Sequence, residues 1–108
     1  MEHHQEAMLA IRANIQAQVE RLEADCRAMT LPALHEAVDA IRATALAHNL
    51  LAVEGIAHAF ERAIAQDRGA TAFGLYFDQL KLATGCNPAD DPTARDAMLA
   101  AISVRLSG

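Results

Sequence analysis

The feature that most restricts the fold is a spacing. Met8, Ile11, Ile15, Val19, Leu22, Cys26 and Met29 recur at steps of three and four residues, which sets them on one stripe of a long amphipathic helix from Glu2 to about Met29. The opposite face carries Arg12, Gln16, Glu20, Glu23 and Arg27 and reads as solvated. A helix with one apolar stripe must bury it against other helices, so the stripe is a bundle seam. The heptads stop too soon for a coiled coil.

The rest of the chain repeats the pattern. Thr30 caps a second helix with Pro32 in its first turn and an inner stripe of Leu34, Val38, Ile41, Ala45 and His48. Asn49 is a left-handed stop. A third helix turns Val53, Ile56, Phe60 and Ile64 inward, with Glu54, His58 and Glu61 on a neighbouring line and Arg68-Gly69 as its termination signal. Thr71 caps a fourth helix that buries Phe73, Phe77, Leu80 and Ala83 or Thr84 and ends at Gly85. After the loop Cys86–Asp90, Asp91 and Pro92 open a fifth helix with Ala94, Met98, Ile102 and Leu106 inward. The 53% apolar content includes only three Phe, one Tyr and no Trp, a mixture that favours helix over sheet. The expectation is therefore an all-α chain, one domain over residues 1–108: an antiparallel four-helix bundle with one additional helix at its end or side. Its Ala-rich helices must pack closely, leaving little room for a deep internal pocket.

Charge and motifs exclude several functions. A net charge of −5 with nine scattered Lys and Arg argues against nucleic-acid binding, which needs clustered cations. No basic segment precedes an apolar block, and no window nears the ~18 apolar residues of a membrane span, so a soluble, cytoplasmic protein is expected. Cys26 and Cys86 lack a metal or redox spacing and read as reduced, packed thiols. Glu54, His58 and Glu61 share one helix side as metal ligands would, but no second helix supplies the matching Glu-x-x-His, and His3 and His4 sit at a terminus that frays. No metal or cofactor is expected. Hydrolytic triads and phosphate-cradling loops find no counterpart, and Phe60, Phe73, Tyr76 and Phe77 read as core.

One group is not demanded by packing. His35, Asp39 and Arg42 form a polar row on the second helix, flanked by the small residues Ala40, Ala43, Thr44 and Ala47 that leave the backbone approachable. Carboxylate and guanidinium at i, i+3 can pair there.

The stretch Asp39-Ala-Ile-Arg-Ala-Thr-Ala-Leu-Ala-His-Asn49, followed by Ala57-His58-Ala59-Phe60-Glu61, resembles the histidine-containing phosphotransfer (HPt) domain, including the version at the N-terminus of chemotaxis kinases. In the family pattern His-x-Leu/Ile-Lys-Gly, Ile41 takes the apolar position, Arg42 the Lys, Ala43 the Gly, Ala45 the following Ala and Asn49 the terminal Gly. His58 and Glu61 fall in register, and the order of helices matches over nearly the whole chain. Most matched positions are Ala or apolar, so the motif is moderately specific.

The phosphoacceptor His position is occupied by Asp39. In the family that imidazole takes a phosphoryl group from a receiver aspartate and passes it on. An ionised Asp39 paired with Arg42 would repel a phosphate, so the resemblance implies a degenerate member. It would dock a response-regulator receiver domain or a histidine kinase through His35, Asp39, Ala40, Arg42, Ala43 and Ala47, acting at most as a phosphotransfer intermediate and not as a conventional enzyme. Two displaced acceptors are His35, one turn earlier with Asp39 orienting its ring, and His48 on or beside the inner stripe. A monomer or weak homodimer is expected. The competing expectation is a structural or regulatory bundle that self-associates through the first-helix stripe and has no signalling role.

Overall fold

The computed structural model describes residues 2–85 and 91–107. The loop Cys86–Asp90, with the state of Cys86, lies outside them, as do the side chains of His3 and His4. The fold is all-α: α1 is Glu2–Asp25, α2 Leu31–Ala47, α3 Leu51–Ala65, α4 Ala70–Ala83 and α5 Asp91–Ser107, with a 3₁₀ turn Cys26–Ala28 after α1. No described helix is long and apolar enough to cross a membrane.

The predicted stripes form the core. Ile15, Val19 and Leu22 of α1 are buried, with Met8, Ile11, Cys26 and Met29 packed at the edge. The first helix ends at Asp25, short of Met29, because Cys26–Ala28 tighten into the 3₁₀ turn and Met29 N donates to Cys26 O at 3.1 Å. Thr30 then caps α2, its Oγ1 accepting from Ala33 N at 3.2 Å. Leu34, Val38, Ile41 and Ala45 are buried below it. On α3, the fully buried Phe60 ring meets Phe73 at 5.6 Å, Tyr76 at 5.3 Å and Phe77 at 4.9 Å, edge-on to the last. Such aromatic pairs add to the stabilisation from burial alone.

Two left-handed residues reverse the chain. Asn49 has φ 57° and Asp67 φ 51°. At the first, Leu50 N donates to Ala45 O and Asn49 N to Leu46 O, and at the second, Arg68 N donates to Ala63 O and Asp67 N to Ile64 O. Both are Schellman closures that satisfy the last helical carbonyls. The stop of α3 is thus Asp67, one residue before the expected Arg68-Gly69. Gly69, at φ 95°, begins α4, so Thr71 falls inside the first turn instead of capping it.

Neighbour relations close the bundle. α1 packs on α2 and α4, α2 on α3, and α3 on α4. Gln16 meets Thr84 and Glu23 meets Lys81, so α1 and α4 run antiparallel. The additional helix, α5, lies on α3 and α4. Its Asp91 Oδ2 accepts from Leu51 N at 3.0 Å, and Arg95 lies where a Cβ on Gly55 would stand, so α5 runs parallel to α3. Asp91 therefore reaches across to the N-terminus of α3, whose own N-cap, Leu50, has no side-chain acceptor. Of the expected inward residues of α5, Ile102 is buried and Ala94 and Met98 half-buried, while Leu106, near the end of the helix, stays exposed beside Ile102 and Tyr76.

Candidate functional site

The helical register of α2 fixes where its polar row can go. With Leu34, Val38, Ile41 and Ala45 turned into the core, Asp39 and Arg42 fall on the flank facing α3, and Ala40, Ala43 and Ala47 on the exposed side. Three of the predicted residues thus line one outer face, beside the Asp39–Arg42 pair.

Arg42 is the centre of the arrangement. Its Nη2 donates to Asp39 Oδ1 at 2.9 Å, its Nε donates to Glu61 Oε1 at 3.1 Å, and its Nη1 lies 3.8 Å from Glu54 Oε1. One cation of α2 is shared by three carboxylates, two of them on α3. The acids differ in exposure: the Asp39 side chain is 49% exposed and that of Glu61 10%.

That difference splits their acidity. The hydrogen bond from Arg42 holds the Asp39 carboxyl below its ordinary value, with Glu61, the guanidinium charge and nearby His35 assisting. Burial pushes Glu61 up, and the neighbouring Asp39 carboxylate adds to the rise against the pull of Arg42. The two acids act as a linked pair in which the outer member carries the charge and the inner one takes a proton first. The Arg42 guanidinium is in turn held more firmly protonated, first by Asp39 and then by Glu61.

The two histidines expected as displaced acceptors sit differently from expectation. His48 is exposed at the C-cap of α2 and not on the inner stripe, because the helix ends at Ala47 and turns away there. His35 is half-buried on the row, but no hydrogen bond joins it to Asp39, whose carboxylate turns to Arg42 instead. His58 is exposed on α3 next to the Arg42 cluster. Glu54 and Glu61, read from sequence as one line with His58, both turn to Arg42, and among the described residues no three His, Cys, Asp or Glu side chains converge as metal ligands do.

Two features escaped the sequence reading. Leu46 is 55% exposed on α2, one turn beyond Arg42 and on the same side as the polar row, which sets an apolar side chain at the edge of the small-residue face. Its position off the 34–38–41–45 stripe was the available signal. The cross-helix role of Glu61 had no such signal, since helical spacing does not say which facing residue a guanidinium will reach. Elsewhere, the stripe proposed for self-association is occupied by the chain's own core, with Ile15 1% exposed and Val19 wholly buried. Cys26 is a free, half-buried thiol whose Sγ donates to Glu23 O at 3.3 Å.

Comparison with protein-family models, with curated proteins and with solved structures finds no match to this chain.

Proposed function

We propose that this chain is an HPt-like docking module of two-component signalling, binding a receiver domain or a histidine kinase through the outer face of α2 without conventional histidine phosphotransfer. The supporting observation is the engagement of Arg42. In the family the equivalent cation steadies a phosphoryl group on the neighbouring histidine. Here it faces Asp39, Glu54 and Glu61, and the acceptor position itself is an ionised carboxylate. A phosphate approaching Asp39 would meet like charge with no uncommitted cation beside it. Docking needs neither. Ala40, Ala43 and Ala47 leave the backbone of α2 open to a partner helix, Leu46 supplies an apolar contact, and Asp39 and Arg42 form a polar rim. Such a role belongs to the cytoplasm, where receivers and kinase cores reside. The competing reading, a self-associating structural bundle, loses the seam it required because Ile15, Val19 and Leu22 are interior.

The test exposes the purified chain to phosphorylated receiver domains from the same genome at neutral pH, reading binding by calorimetry and phosphohistidine by mass spectrometry. Stable binding without label, lost in Ala43→Glu while the melting curve is retained, is the expected result. Label on His35 or His48 that vanishes in His35→Ala/His48→Ala would replace this reading with a relay using a displaced acceptor. A chain that binds no receiver or kinase and sediments as a dimer would overturn it.

A further inference from the structure

We infer that the chain binds a small amphipathic carboxylate in a groove between the C-terminal end of α3, the middle of α4 and the last turns of α5, on a side of the bundle away from Arg42.

The groove consists of two adjoining cavities of about 280 and 190 Å³ that share Arg68 and Tyr76 as walls. Tyr76 is 9% exposed, its ring stacked on Phe60. Its hydroxyl has no hydrogen-bond partner among the described residues, although the phenol borders both cavities. The ring is buried while the hydroxyl keeps contact with solvent at the groove, where it can bond a group that enters.

The charge of the groove sets the class of ligand. Arg68 spends only Nε, donating to Gln66 Oε1 at 2.9 Å, and Arg62, also on the wall, has no carboxylate partner among the described residues. No Asp or Glu is among the lining residues, so the site is cationic on a chain whose net charge is −5. Two guanidinium groups and a phenol hydroxyl suit an oxyanion, since charge-assisted bonds are the strong ones. Leu99, Ile102 and Leu106 of α5 form the apolar side of the larger cavity. An ion with no apolar body would leave that wall unused, whereas a short acyl chain would cover it.

Octanoate is the probe, titrated into the full chain with binding read by calorimetry and by amide shifts. Saturable binding at about 1 mM or tighter is expected. Tyr76→Phe, which keeps the ring on Phe60, and Arg68→Gln should each weaken it about tenfold, and Ser103→Phe, at an exposed position on the groove wall, should block it. Thermal melting of each variant separates these losses from unfolding. Absence of saturable octanoate binding, affinity unchanged by Tyr76→Phe and Arg68→Gln, or acetate binding as tightly as octanoate would each overturn the inference.

Discussion

Arg42 Nε on α2 donates to Glu61 Oε1 on α3 at 3.1 Å, bridging nineteen positions of sequence, and the same guanidinium holds Asp39 one turn away. The bond ties the polar flank of α2 to α3, and the shared guanidinium sets the charge at Asp39. Removing either end is predicted to have unequal effects. Arg42→Met leaves the nearly buried Glu61 without its cation, so it should lower the melting temperature more than Asp39→Asn, whose site is half-exposed. Glu61→Gln keeps the shape and an acceptor for Arg42 and should stay within about 1 kcal/mol of the parent, while Glu61→Ala should cost about 1–3 kcal/mol. Urea unfolding of the four variants checks the order.

The same pair gives a pH dependence of opposite signs. Burial raises Glu61 above the ordinary glutamate value of 4.5, so the folded state binds its proton more tightly than the unfolded chain does. That contribution is full below 4.5 and is lost as pH rises through the elevated folded value. Asp39, lowered by Arg42, contributes stability that is present above the ordinary aspartate value of 3.8 and lost as pH falls through its depressed folded value. Stability measured in urea should therefore improve on moving from neutral toward mildly acidic pH and decline again below 3.8. Glu61→Gln should remove the first slope and Asp39→Asn the second.

How much of this was legible depends on what each residue answers to. The inner stripes of α2 and α3 and the cap at Thr30 answer to local periodicity and backbone geometry, which a sequence displays directly. So does Asn49, one of the few side chains that tolerate positive φ. Helix ends are harder. The exit from α3 shifted to Asp67 because the closing hydrogen bonds, not the glycine, choose the left-handed residue, and Thr71 lost its capping role in consequence. Contacts between helices were the least legible. Asp91 was assigned to the start of its own helix, yet its carboxylate serves α3, forty positions away, and the commitment of Glu54 and Glu61 to Arg42 depends on a crossing geometry that no spacing encodes.

The left-handed stop at Asp67 carries a stability prediction. A Cβ at positive φ is strained, and glycine is free of that strain, so Asp67→Gly should stabilise the fold by up to about 1 kcal/mol, less the loss of glycine's greater entropy when unfolded. Asp67 is exposed, so little packing is lost with its side chain. A higher urea midpoint at unchanged slope is the expected reading, and Asp67→Val, β-branched at the same φ, should move it the other way.

Asp91 supplies the last prediction, because one side chain joins the start of α5 to the start of α3. It is 2% exposed, and its Oδ2 accepts the Leu51 N–H at 3.0 Å, an amide that the helix itself cannot satisfy. The carboxylate also sits at the positive end of the α3 dipole. Asp91→Ala removes the acceptor from a half-buried donor and should cost about 1–2 kcal/mol. Asp91→Asn retains a carbonyl oxygen for Leu51 but not the charge, and should recover roughly half. If the carboxylate docks α5, hydrogen exchange in Asp91→Ala should quicken first at the N-terminal turns of α3 and along α5, while the amides of α1 and α2 keep their protection. Uniform acceleration through all five helices would instead mean that Asp91 acts only through global stability.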